Sequence, residues 1–147
     1  MALLVKTGID PSNIAGIGLF AEEFIPEGTQ VWEFTPNFDT VFEDIGNFPP
    51  LLREFLTTYC YRTRGRYVFC ADHAKFFNHA DAPSCRDDAD DTYAARDIYP
   101  GEELTSDYRT FGVTQGDLEF NYREFAAPRP HPRPPRTRQP MVCPNGS

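Results

Sequence analysis

A chain of 147 residues, 40% hydrophobic and 24% charged, has the make-up of one globular domain that buries about two thirds of the surface its unfolded form exposes and needs no disulfide staples. Its longest uncharged stretch, Pro11 to Ala21, runs only 11 residues and contains Pro, Ser, Asn and two Gly, against the roughly 18 to 20 apolar residues of a membrane span, and the apolar stub Met1 to Val5 is stopped by Lys6 before it makes a secretory core. All 22 acidic residues and 10 of the 14 basic ones precede residue 126, giving that part a charge of 10 − 22 = −12 and leaving four arginines beyond it, so direct nucleic-acid binding by the body is disfavoured and Lys- and Arg-rich polypeptides are attracted.

In chain order, the first distinctive segment is Ala15-Gly16-Ile17-Gly18-Leu19-Phe20-Ala21. Gly16, Gly18 and Ala21 formally fit the G-x-G-x-x-G/A dinucleotide fingerprint, but that motif needs a strand before it and a helix after it. Here polar Asp10-Pro11-Ser12-Asn13 precedes it and Pro26-Glu27-Gly28 stops any helix. A glycine pair admitting close backbone approach, or a plain tight turn, fits better. Val31-Trp32-Glu33-Phe34 and Tyr67-Val68-Phe69-Cys70 are aromatic and β-branched runs of the kind that form strands. Between Pro50 and Tyr61, Leu51, Leu52, Phe55, Leu56 and Tyr59 recur at helical spacing behind Pro49-Pro50, a pair that a helix start tolerates.

Phe76-Phe77-Asn78-His79-Ala80-Asp81-Ala82-Pro83 joins an aromatic pair to Asn-His; on its own it reads as a buried histidine satisfied by backbone, with Asn78 capping a turn. Asp87-Asp88-Ala89-Asp90-Asp91 reads as a solvated acidic loop or as a contact for a basic partner, and it lacks the central Gly and closing Glu of a calcium loop. Pro100-Gly101 makes a second sharp turn, leading to a short strand with an exposed acidic pair, Glu102-Glu103, and on to Asp107-Tyr108. A weaker helix is expected over Thr114 to Glu124. From Ala126 the composition changes: seven of the 14 prolines fall in the last 22 residues, interleaved with Arg, as in a disordered or polyproline-like tail.

Cys60, Cys70, Cys85 and Cys143 form no C-x-x-C and no short cluster, so free thiols in a reducing compartment are expected. Asp72, His73, His79 and Asp81 do not share a helix face at ligand spacing, and no metal is expected. The residues therefore predict a mostly β domain over 1–125, built of short strands in small sheets with a helical insert, and a tail over 126–147.

Together, Gly-x-Gly near the start, Asn-His in the middle and Gly-Glu-Glu-Leu-x-x-Asp-Tyr before the end resemble the SET-domain family of S-adenosylmethionine-dependent protein-lysine methyltransferases. The resemblance covers about residues 8–111. Ser12 to Ala21 looks like the family's opening motif, Lys75-Phe76-Phe77-Asn78-His79 is similar to its Arg-Phe-x-Asn-His core, and Ala95 to Leu104 leading to Asp107-Tyr108 is similar to its closing motif. The type resembled is the compact stand-alone bacterial or viral one, since the zinc-binding cysteine clusters that flank many histone-modifying members have no counterpart in this sequence.

The resemblance implies a β-clip fold in which the segment ending at Tyr108 threads beneath a loop near Asn78-His79 as a pseudoknot. It implies that the backbone of Ala15, Gly16, Ile17 and Gly18 and of Asn78 and His79 holds the methyl donor, S-adenosyl-L-methionine, that Tyr108 is the catalytic tyrosine, and that Tyr67, Ser106 and Phe111 line the channel for the substrate lysine. Phe111, Phe120, Tyr122 and Phe125 would close that channel as an aromatic cover over 112–125, or pack a terminal helix onto the sheet. The implied partner is a lysine-rich basic protein, histone-like or ribosomal, met in the cytoplasm or, for a viral chain, in the host nucleus; oligomeric state is left open, a homodimer included. Two departures stand out. The family's Asn-His-Ser-Cys-x-Pro-Asn reads Asn78-His79-Ala80-Asp81-Ala82-Pro83-Ser84, and Ser106 stands where many members carry Phe or Tyr, which leaves mono- against trimethylation open. A SET-like module that binds peptide or donor without catalysis, and a metal-dependent hydrolase built on the Asp/His cluster, are the alternatives.

Overall fold

The computed structural model of the chain describes residues 2–88 and 90–111. The expected helix at 114–124, the aromatic cover, the tail and the side chain of Phe111 lie outside them.

The chain opens with a hairpin, β1 (Thr7–Pro11) and β2 (Ile17–Ala21), paired antiparallel from Thr7 opposite Ala21 to Pro11 opposite Ile17. The connection closes through Ser12 N–H donating to the Gly16 carbonyl at 3.0 Å. Gly16 sits there at φ 47°, a left-handed conformation that glycine takes without a Cβ penalty. The glycine pair is thus a turn feeding a strand, and the dinucleotide-binding alternative, which requires a helix at this point, is excluded.

Two further strands complete this sheet. β10 (Glu103–Ser106) lies antiparallel to β2 and parallel to β7 (Asn78–His79), giving the order β1-β2-β10-β7. The Pro100-Gly101 turn before β10 has Gly101 at φ 89° and Glu102 N–H donating to the Tyr99 carbonyl at 3.0 Å, a type II turn with Pro and Gly at the positions that favour them.

A second sheet orders β3 (Gln30–Glu33), β9 (Asp91–Ala94) and β8 (Cys85–Asp88) as β3-β9-β8. The acidic run expected as a loop is instead the end of the β8–β9 hairpin, in which Asp88 faces Asp91. Strand alternation turns Asp87 inward, where its carboxylate accepts from Thr92 Oγ1 at 2.8 Å, while Asp91 accepts from Gln30 Nε2 at 2.9 Å. Pairing to a neighbouring strand outweighs the run's polar composition, because every second side chain still reaches solvent.

The helical insert and a third sheet lie between these parts. β4 (Thr40–Phe42), β6 (Arg66–Phe69) and β5 (Cys60–Thr63) pair in the order β4-β6-β5, with α1 (Pro50–Tyr59) leading into β5. Proline stands at the start of α1, where its missing N–H breaks no helical bond. Of the apolar positions with helical spacing only Leu56 is buried, and Leu51 remains 81% exposed. Phe55 contacts Tyr59 and Phe69, and Tyr59 meets Phe76 edge-on.

The main core joins the first two sheets through Leu19, Ala21, Ile25, Val31, Cys85, Ala94, Ile98 and Leu104. Burying each large member contributes on the order of 1.5–3 kcal/mol. A smaller cluster, Ala2, Trp32, Cys70 and Ala74 with Phe34, Tyr61 and Phe77 against it, underlies the 3-10 helix His73–Phe76. No helix among the described residues is long and apolar enough to cross a membrane.

Candidate active site

The site is built where β2, β7 and β10 meet. Asn78, buried on β7, donates from Nδ2 to the Ala15 carbonyl at 3.2 Å, to the Ile17 carbonyl at 3.2 Å and to Glu103 Oε1 at 2.8 Å. Its role is therefore to tie the glycine turn to the end of the sheet, not to cap a turn of its own. Glu103, read from the sequence as half of an exposed acidic pair, is only partly exposed and also accepts Ser12 Oγ on both carboxylate oxygens at 2.9 Å. A Cβ added at Gly18 would stand 2.3 Å from Glu103 Oε1 and 3.0 Å from Ser12 Cβ, so only glycine lets this carboxylate approach β2. The structure thus brings Ala15, Gly16, Ile17, Gly18 and Asn78 into one constellation, organised by a glutamate that the sequence reading missed. Its partner Ser12 lies 91 residues away.

His79 follows on the same strand and fixes Tyr108. The backbone N–H of Tyr108 donates to His79 Nδ1 at 3.1 Å, which assigns Nδ1 as an acceptor, while Nε2 lies 3.2 Å from Asp81 Oδ1. The Tyr108 phenol donates to the Phe77 carbonyl, and the two rings of His79 and Tyr108 lie 5.6 Å apart. Tyr108 is consequently held at both its backbone and its hydroxyl by the Phe77-Asn78-His79 segment. Asp107 binds Arg109, whose guanidinium hydrogen bonds hold its carboxyl below the usual aspartate range.

Ser106, buried at the end of β10, stands opposite His79 in the parallel pairing, and its hydroxyl is 3.5 Å from Asp87 Oδ1. Burial pushes the Asp87 carboxyl up, outweighing the lowering from Thr92 and Ser106. Its Oδ2 is buried with no hydrogen-bond partner among the described residues. Ser84, where the family's asparagine is lost, is almost fully buried and bridges to β10: its Oγ donates to the Glu103 carbonyl at 3.0 Å and accepts from Thr105 N–H at 2.9 Å, and its N–H donates to Thr105 Oγ1 at 3.0 Å. The hydroxyl thus supplies the backbone bonds that hold β10 against β8.

Tyr67 is placed on β6, half-buried beneath the Arg62 guanidinium at 5.0 Å. Tyr61 on β5 meets Trp32 edge-on at 5.9 Å, β5 packs beside the 3-10 helix Tyr108–Phe111, and burial pushes the Tyr61 phenol well up. Phe111 is the last residue of that 3-10 helix. The Asp/His cluster does not converge. Asp72 caps the 3-10 helix by accepting Ala74 N–H at 3.0 Å and also binds Leu3 N–H, whereas His79 serves Tyr108. Among the described residues no group of three or more His, Cys, Asp or Glu is arranged to hold a metal ion.

Small sheets, with a parallel β7–β10 contact that delivers a tyrosine beside an Asn-His pair, define a SET-type fold. The family model for the SET domain matches residues 16–109, more than half of the chain, and the protein belongs to that family. A Plasmodium falciparum protein assigned as a histone methyltransferase has a crystal structure similar to it with a TM-score of 0.55 and 18% identity, over 72% of this chain and 95% of that one. A humanised mutant of the Chaetomium thermophilum Polycomb Repressive Complex 2, bound to an inhibitor, is similar with a TM-score of 0.56 and 25% identity, over 76% of this chain and 15% of the other. The chain therefore spans only a small part of that second protein. No curated protein matches the sequence significantly.

Proposed function

We propose that the chain transfers a methyl group from S-adenosyl-L-methionine to the ε-amine of lysine in a basic protein. One observation carries the reading: Tyr108 is fixed by His79 and Phe77 directly beside the Asn78 link to the glycine turn. The donor set fits such a ligand, because Asn78 commits its amide nitrogen to protein acceptors while no described residue donates to its Oδ1, and a Cβ at Gly16 would meet no described residue within 4 Å. When bound, S-adenosylmethionine would supply an electrophilic methyl on a sulfonium, with the neutral thioether as leaving group for an attacking amine, and the backbone of Ala15–Gly18 and the Asn78-His79 pair would hold it.

The protein's part is positioning and electrostatics. Lysine must release a proton to solvent before it attacks, although its ordinary pKa is about 10.4, and a water-poor channel would favour the neutral amine. The Tyr108 phenol donates a hydrogen bond to the Phe77 carbonyl, and in this reading the same oxygen acts as the acceptor that orients an amine N–H. The small Ser106 side chain leaves room in this channel. The parallel pairing of β7 with β10 supports threading of the Tyr108 segment as a pseudoknot. A body charge of −12 over residues 1–125 supports a lysine-rich target, histone-like or ribosomal.

The test is transfer of labelled methyl from S-adenosylmethionine to core histones and to a bacterial lysate. Tyr108→Phe should lower transfer about a hundredfold with donor affinity nearly unchanged, and equal transfer by the two forms would remove Tyr108 from the mechanism. Donor binding without transfer to any protein would instead identify a binding module.

A further inference from the structure

Glu103 brings a negative charge into the constellation that organises the glycine turn. Its carboxylate is held by the Ser12 hydroxyl at 2.9 Å and the Asn78 amide at 2.8 Å, and it packs directly against β2 at Gly18. Both partners are neutral donors. The adjacent Glu102 is paired with the Arg96 guanidinium at 3.1 Å, but no Lys, Arg or His among the described residues forms an ion pair with Glu103. A hydroxyl and an amide donor can also hold a neutral side chain of the same shape, so the hydrogen bonds explain the geometry without requiring the charge.

A charge fixed this way distinguishes ligands that differ only in charge. S-adenosylmethionine carries a sulfonium cation, whereas S-adenosylhomocysteine, left after methyl transfer, is the same molecule with a neutral thioether and one methyl fewer. We propose that Glu103 is an electrostatic selector, making the donor site hold the sulfonium in preference to the thioether and so easing product release. The inference rests on the reading of Ala15–Gly18 and Asn78 as the donor site. It makes Glu103 a positioning and selectivity residue that acts through Asn78 and the local field, with no bond made or broken at its carboxylate. In a partly buried setting, one such charge interaction corresponds to on the order of a tenfold preference.

The experiment is calorimetric titration of the full chain with S-adenosylmethionine, S-adenosylhomocysteine and sinefungin, in which an amine cation replaces the sulfonium. The unaltered protein should bind both cationic ligands more tightly than the thioether. Glu103→Gln, which keeps the shape and the acceptor oxygen, should weaken the cationic ligands about tenfold and shift the thioether by less than about twofold. Ser12→Ala, which removes a hydrogen bond but keeps the charge, should leave the ratio of affinities where it was. A thioether bound by the unaltered protein as tightly as the cations overturns the proposal without any variant. So does a Glu103→Gln chain that loses affinity for all three ligands alike, the mark of a merely structural role. If none of the three binds, the donor-site reading falls and the selector falls with it.

Discussion

Asp87 shows how one partly buried side chain couples this site to pH. Its carboxylate accepts from Thr92, approaches Ser106, and leaves Oδ2 without a partner among the described residues. Burial raises its pKa more than the hydroxyls lower it. A carboxyl that binds its proton more readily in the folded than in the unfolded state stabilises the fold below its unfolded value, about 3.9. That contribution is lost as pH rises through the folded value. Asp87→Asn, neutral throughout, should therefore be more stable than the unaltered protein at pH 7, with the gain shrinking as pH falls toward about 4. Urea unfolding at a series of pH values checks this, and a gain independent of pH would assign the effect to packing. The cysteines tell the same desolvation story: burial raises the Cys60 thiol to about 11 and the Cys85 thiol to about 12, which makes both poor nucleophiles at neutral pH. Among these residues the sequence showed the candidates Asn78, His79 and Tyr108 through their order alone. Glu103, Ser84 and Asp87 were not legible, because their chemistry comes from partners that local pattern cannot name.

The hairpin of β5 and β6 shows at the level of elements where turn chemistry and sequence disagree. Thr63 faces Arg66 across the loop Arg64-Gly65, whose φ angles are 49° and 76°. Positive φ at both central residues is the type I′ geometry, matched to strand twist and suited to Asn-Gly. Arginine in the left-handed region costs about 1 kcal/mol or more, and Arg64 is exposed. Arg64→Asn should stabilise the protein by about 0.5–1 kcal/mol, measured as a shift of the denaturation midpoint without a change of slope. Most turns were legible, since Pro26-Glu27-Gly28 and Pro100-Gly101 carry their own punctuation. The burial of α1 was not. Helical spacing fixes which residues share a face, but the surrounding sheets leave Leu51, Leu52 and Phe55 exposed and bury Leu56 alone.

Charge acts over the whole molecule. Residues 1–125 hold 22 acids against 10 bases, and the field of so acidic a stretch raises the local concentration of cationic polypeptides in general. At about 0.1 M salt the screening length is about 10 Å, so this long-range attraction is weakened by added salt while the buried site is not. In the proposed methyl transfer, assayed on core histones, raising salt from about 50 to 300 mM should increase KM at least about threefold and leave kcat nearly constant. A kcat that falls while KM stays put would place the salt effect in the site and remove the body charge as a substrate determinant.

The sequence by itself determined an acidic, mostly β make-up, the positions of its sharp turns, and the order of the glycine turn, the Asn-His pair and the Asp-Tyr end. These are local properties, written in neighbouring residues as backbone preference or spacing. Only the tertiary structure decided that Asn78 and Glu103 clamp the glycine turn, that His79 and Phe77 hold the two ends of Tyr108, and that Asp87 faces Ser106. Those contacts join segments far apart in the chain: 91 residues separate Ser12 from Glu103 and 31 separate Phe77 from Tyr108. A hydrogen bond at such separation exists only once strand pairing has brought its partners together, and hydrophobic burial of β2 and β10 supplies the free energy for that pairing.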